Sequence, residues 1–160
     1  MPQTVKLRPY RLADEPAAVG LWQRSWQLAY PQIDFSQRLE WFREHWSGLQ
    51  LDSRIVVAEC ETVPDHLAGF VAVSPRTGYL DQIVVAPEMQ HRGIGKALID
   101  AAKHLGREGL YLHVNKDNSR AIAFYRKSGF TIAGEDINRR SGAPVYMMTW
   151  RPAADLPPEP

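Results

Sequence analysis

The segment Val84-Val85-Ala86-Pro87-Glu88-Met89-Gln90-His91-Arg92-Gly93-Ile94-Gly95-Lys96 limits the fold more than any other. A β-branched apolar run stops at a proline, turns through two closely spaced glycines and enters a helical pattern. That helix carries Ile94, Ala97, Leu98, Ala101 and Leu105 on one face, so it needs a sheet to lie against. The same turn presents backbone N–H groups at the positive end of a helix dipole, which is a place for phosphate oxygens. Gly93 and Gly95 let the backbone approach an anion with no Cβ in the way, and Arg92 and Lys96 add positive charge at the rim. A Gln/Arg-x-x-Gly-x-Gly/Ala match by itself arises by chance in roughly one chain of this length in seven. Its position between a strand and an amphipathic helix is what gives it meaning.

The rest of the chain supplies the other layers. Val5, Leu7 and Pro9 mark a first strand, and Asp14 is placed to cap a helix with Glu15 and Pro16 in its first turn. Val19, Trp22, Trp26 and Tyr30 share one face of that helix, and Pro31 ends it. Ser36 opens a second helix through Leu39, Phe42 and Trp46. The period then changes: Ile55 to Glu61 and His66 to Ser74 read as a hairpin, and Tyr79 to Val85 as a third strand after Gly78. Beyond the helix from Gly93 to about Leu105 come a strand at Leu110 to Val114 and a helix at Ser119 to Ser128, closed by Gly129. Strands at Phe130 to Glu135 and Val145 to Trp150 complete an α/β chain of mixed class, ordered β-αα-βββ-α-β-α-ββ. Residues 1–150 are expected to form one domain and 151–160, rich in proline, a disordered tail.

Composition excludes several functions. With 19 Lys and Arg against 18 Asp and Glu the formal charge is +1, too weak a field to hold nucleic acid or an acidic membrane. The lone Cys60 cannot form an internal disulfide and reads as a buried structural thiol, and no Cys and His residues have zinc-ligand spacing, so no metal is expected. Lys6, Arg8 and Arg11 are followed by no apolar stretch and nothing approaches a membrane span, which points to the cytoplasm.

A second motif lies at Asn115-Lys116-Asp117-Asn118-Ser119-Arg120-Ala121-Ile122-Ala123-Phe124-Tyr125-Arg126-Lys127-Ser128-Gly129-Phe130. It resembles the Asn-x-x-Ala-x-x-Phe-Tyr-x-x-x-Gly-Phe signature of the GNAT N-acetyltransferases, and with Gln90 to Gly95 upstream the resemblance is specific. It covers residues 55–150 well; Met1 to Ser53 matches only in element order. The resemblance implies a mixed, mostly antiparallel, strongly twisted sheet of about seven strands whose central strands splay apart, with acetyl-CoA in the gap. The pantetheine arm would pair with the backbone of Ile83, Val84 and Val85, near a β-bulge at Val84 that supplies an oxyanion donor. The pyrophosphate would lie on His91, Arg92, Gly93, Ile94, Gly95 and Lys96, and Asn118 would touch the pantetheine or phosphate arm. Tyr125 matches the family's tyrosine that protonates the departing sulfur; its alternative is a packed aromatic beside Phe124.

Acetyl transfer to an amine also needs a proton acceptor, because a lysine-like amine has a pKa of about 10.4. Alternation along Leu112-His113-Val114 turns His113 away from the apolar face, where it serves either as a base near neutral pH or as a hydrogen-bonded structural residue. Asp81 is an equal candidate, its alternative being a carboxylate partnering Arg92 or another cation. The aromatics Trp22, Trp26, Tyr30, Trp41 and Trp46 read first as core, with some lining an acceptor pocket. Arg139 and Arg140 form a solvated turn or meet an anionic acceptor. The acceptor is an amine on a small molecule or a peptide, and a homodimer is compatible with such a fold. A non-catalytic acyl-CoA-binding module is the competing reading, disfavoured by Tyr125; a Rossmann nucleotide site lacks its Gly-x-Gly-x-x-Gly strand turn.

Overall fold

The computed structural model describes residues 5–153. Among them the elements run β1 (Lys6–Pro9), α1 (Glu15–Ala29), α2 (Leu39–Asp52), β2 (Arg54–Glu59), β3 (Leu67–Val73), β4 (Leu80–Val85), α3 (Ile94–Leu105), β5 (Leu110–Asn115), α4 (Ser119–Lys127), β6 (Thr131–Ile137) and β7 (Pro144–Trp150). This is the order expected from the hydrophobic periods. Most of the expected tail, residues 154–160, lies outside the described part.

Two helix starts differ from expectation. Asp14 precedes α1, but its carboxylate does not cap that helix. It turns back to accept two hydrogen bonds of 2.8 Å from the Arg8 guanidinium and one of 2.8 Å from the Arg11 N–H. A bidentate cation outcompetes the neutral N–H groups of the helix end. Residues Phe35–Arg38 form a 3-10 turn ahead of α2, and Asp34 caps that turn by accepting from the Ser36 N–H at 3.0 Å.

The strands lie in two antiparallel groups, β1-β2-β3-β4 and β5-β7-β6. They meet at a single parallel bridge, Tyr79 to Tyr111, where the Tyr111 N–H donates to the Gly78 carbonyl at 3.0 Å. Beyond that point no ladder joins β4 to β5 among the described residues, so the two strands leave a wedge open between them. One cause is local. Val73 pairs with Leu80 while Ala72 pairs with Gln82, so Asp81 is an extra residue in β4. Such a bulge bends its strand and strengthens the twist.

β3 is buried at every position, as a strand covered on both faces must be. On one face α3 seats Leu98 over Gly69, where an added Cβ would stand 3.0 Å from Leu98 Cδ1 and 2.6 Å from the Val84 carbonyl oxygen. On the other face α1 and α2 pack through Trp22 stacked on Phe42 (4.1 Å, 11°) and Trp46 against Phe70 (4.9 Å). Trp22 and Trp46 are therefore core, as their helical spacing predicts. No helix among the described residues is long and apolar enough to cross a membrane.

Candidate active site

The glycine-rich turn sits at the wide end of the wedge. His91 (φ 65°) and Gly93 (φ 81°) both take left-handed backbone conformations, and Gly93 stands at the N-terminus of α3 with no side chain capping the helix. The first-turn N–H groups of α3 thus keep their donors available, the arrangement that binds phosphate. Arg120, from the start of α4, donates to Gln90 Oε1 and lies 3.1 Å from His91 Nε2, tying the loop to the far side of the wedge. Arg92 is exposed at the rim, and Lys96 points to solvent, pairing with Asp100 at 2.8 Å. Gly95 also meets a packing need that its spacing does not announce. Its Cβ position lies 3.1 Å from Phe124 Cε1, so the missing side chain makes room for an aromatic ring of α4.

The edge of β4 is more selective than the sequence implies. Ala86 N–H donates to Ala68 C=O at 2.7 Å, and the ladder continues Val85–Gly69, Val84–Phe70, Val71–Ile83. Antiparallel pairing alternates, so the peptide groups of Val84 are bonded to Phe70, and those of Ile83 and Val85 face the wedge. Val84 is thereby removed from the set of backbone partners for a ligand strand. The bulge also lies three residues earlier than expected, at Asp81 rather than near Val84. Ser25 of α1 reaches toward the Val85 carbonyl at 3.5 Å.

Along β5, Tyr111, His113 and Asn115 share a face, and it is the face toward α1 and α2. Asn115 Nδ2 donates to the Tyr30 hydroxyl at 3.1 Å, and that hydroxyl donates to Asp117 Oδ1 at 2.8 Å. Tyr30 thus braces the end of α1 against the end of β5. His113 is exposed, with Nδ1 3.0 Å from the Tyr79 hydroxyl. Asn118 accepts from the Ala121 N–H through Oδ1 at 3.2 Å, capping α4 and leaving its amide NH2 as a donor.

Tyr125 of α4 is 9% exposed, between Phe124 (5.4 Å) and Phe130 (5.7 Å), with Tyr79 of the wedge's narrow end among its neighbours. Its hydroxyl makes no hydrogen bond among the described residues. Burial, reinforced by Tyr79, pushes its pKa well above the ordinary phenol value, so it stays a neutral O–H donor. Burial likewise raises Tyr79, to about 12, with Asp81 and Tyr111 adding to the effect. Tyr79 was not singled out by sequence, where it reads as a strand residue.

Asp81 has a side-chain partner that its sequence context does not announce. Its partner is not Arg92 but His45 of α2, with Nε2 2.7 Å from Asp81 Oδ1. The Asp81 hydrogen bond raises the His45 pKa, against opposing effects of burial and of Arg140. Trp41 stacks on the His45 ring (5.0 Å, 14°), and the Arg140 guanidinium sits 3.9 Å from the Trp41 ring centroid. Between α2 and the bulge lies a cleft of about 480 Å³ bordered by Glu44, His45, Asp52, Tyr79, Asp81 and Tyr111. Among the described residues, no group of three or more His, Cys, Asp or Glu is arranged to hold a metal ion.

The sequence model of the Acetyltransferase (GNAT) family matches residues 16–130. The chain is 28% identical to the peptidyl-lysine N-acetyltransferase YjaB of Salmonella typhimurium, aligning 90% of itself with 95% of that protein. It is 33% identical to the mycothiol acetyltransferase of Kocuria rhizophila, over 88% of this chain but only 50% of that one. The structure of the PaiA N-acetyltransferase of Thermoplasma acidophilum in complex with coenzyme A superposes with a TM-score of 0.73 at 23% identity, covering 93% of this chain and 99% of that one. The fold is shared with that structure, the two motifs lie on opposite sides of one wedge, and the chain belongs to the acetyltransferase (GNAT) family.

Proposed function

We propose that the protein transfers an acetyl group from acetyl-CoA to a primary amine by direct attack within a ternary complex. The observation that carries this reading is the wedge itself. It runs from uncapped N–H donors at α3, along the peptide groups of Val85 and Ile83 that face away from β3, toward Tyr79, near which the Tyr125 hydroxyl stands. Phosphates suit the first, the amides of a pantetheine arm the second, and a thioester sulfur the third.

The amine approaches from the α1–α2 face, where Asp81, His45 and His113 stand. The ammonium first gives one proton to a base on this face and becomes a nucleophile. Its nitrogen then forms the C–N bond to the thioester carbon, and the charge that develops on oxygen is met by an N–H of β4 facing the wedge. Collapse breaks the C–S bond; the nitrogen loses a second proton and the sulfur gains one from Tyr125, leaving an amide and a free thiol. Tyr125 is then reprotonated, so one proton in all is released. The burial that weakens Tyr125 as an acid also makes the departing thiolate more basic, which keeps donor and acceptor matched.

The names of the relatives support an amine on a peptidyl lysine or on a small thiol such as mycothiol. Calorimetric titration with acetyl-CoA, followed by a thiol-release assay against lysine peptides, polyamines and aminated antibiotics, tests the reading. Micromolar binding with release on one amine class supports it and names the acceptor. Binding with no release on any amine favours a non-catalytic acyl-CoA module, and no binding removes the reading altogether.

A further inference from the structure

The Asp81–His45 pair is built rather than incidental. Its members come from the bulge of β4 and the middle of α2, and the bulge is what places Asp81 beside the helix. The imidazole is held on one edge by the carboxylate and on a face by Trp41. Its Nδ1 makes no hydrogen bond among the described residues, and the ring borders the cleft together with Tyr79 and Tyr111. Both side chains keep some access to solvent, 31% for His45 and 15% for Asp81.

Resting on the transferase reading, we infer that His45 is the base that accepts the proton of the incoming amine, and that Asp81 is the positioning residue that fixes its tautomer. A carboxylate accepting from one ring nitrogen leaves the proton on that nitrogen and the lone pair on the other. The ammonium proton passes to Nδ1, giving imidazolium and free amine; the imidazolium is held by Asp81 until it releases the proton through the cleft. A carboxylate alone is too weak a base to draw a proton from an ammonium efficiently, and the paired imidazole lies closer to the amine on the pKa scale.

The charged groups acting on the ring are Asp81 from β4, Asp52 from α2 and Arg140 from the β6–β7 loop. Glu44, Arg76, Tyr79 and Tyr111 line the same cleft. Asp81 dominates, which raises His45; Arg140, seated on Trp41, works in the opposite sense. Activity should therefore fall as the pH drops through the raised value, giving an acidic limb that belongs to His45.

The test is the pH profile of kcat/KM for thiol release, using acetyl-CoA and whichever amine of the panel turns over, for the wild type, His45→Gln, Asp81→Asn and His113→Gln. Acetyl-CoA affinity serves as the folding control. His45→Gln should abolish the acidic limb and lower the rate at pH 7 by about 10²-fold or more. Asp81→Asn should move the limb to lower pH, and NMR titration of the His45 imidazole should move with it. A limb that survives in His45→Gln, or that disappears only in His113→Gln, overturns the assignment. A wild type that neither binds acetyl-CoA nor releases thiol removes the transferase reading instead, a result distinguishable from the other two.

Discussion

Replacing Tyr125 by phenylalanine separates a chemical role from a packing role with unusual clarity. The hydroxyl has no hydrogen-bond partner among the described residues, so its removal orphans no other polar group. Phe124 and Phe130 still enclose a ring of the same shape. Stability should therefore change by no more than about 0.5 kcal/mol in either direction, because the usual cost of deleting a buried hydroxyl comes from the partner left behind. The reaction should respond very differently. Loss of a positioned general acid costs about 10²- to 10⁴-fold, and at 1.36 kcal/mol per tenfold even the lower bound is about 2.7 kcal/mol of barrier. Urea denaturation would read the first quantity, and thiol release at saturating acetyl-CoA the second, with calorimetry confirming that acetyl-CoA affinity is held. An unchanged kcat would return Tyr125 to a packed aromatic. A variant that fails to fold would refute the claim that its hydroxyl is unengaged.

Two further changes probe the scaffold. Gly69→Ala should destabilise by about 2 kcal/mol or more, because the new Cβ meets a backbone oxygen at 2.6 Å that cannot swing aside, and thermal denaturation should show a Tm lowered accordingly. Asp14→Asn should cost about 1 kcal/mol at neutral pH after allowance for solvent screening. The Arg8 hydrogen bonds hold the Asp14 carboxyl below its ordinary value, against the effect of burial. A depressed carboxyl contributes stability above its unfolded pKa and loses it as the pH falls through the folded one, so the difference between variant and wild type should close in that acidic window. A difference that persists at still lower pH would mean that the charge of Asp14 is not the source.

The order of elements was legible because each period in the sequence runs unbroken: the aromatic stripe of α1, the fully apolar β3, the single stripe of α3. The glycine-rich turn at the start of α3 and the helix carrying Tyr125 were legible because they sit in local motifs. What escaped was set by register and by distant partners. Which of Ile83, Val84 and Val85 faces the wedge depends on how β3 pairs with β4, and nothing in β4 itself announces it. His45 looks like one more polar residue on a helix surface until a bulge brings Asp81, 36 positions away, to its ring. The one local signal for it was Trp41 four residues earlier, a spacing that stacks an indole on an imidazole. That the missing Cβ of Gly95 also makes room for a phenylalanine ring depends on another helix and is invisible in the local motif.

Unpaired strand edges normally face outward, where they invite other chains to add a strand, and proteins spend charges, prolines and bulges to discourage it. Here the unpaired edge of β4 faces a strand of the same molecule, β5, joined to it among the described residues only at the Tyr79–Tyr111 bridge. An edge turned toward its own neighbour offers no outer ladder for another chain to extend.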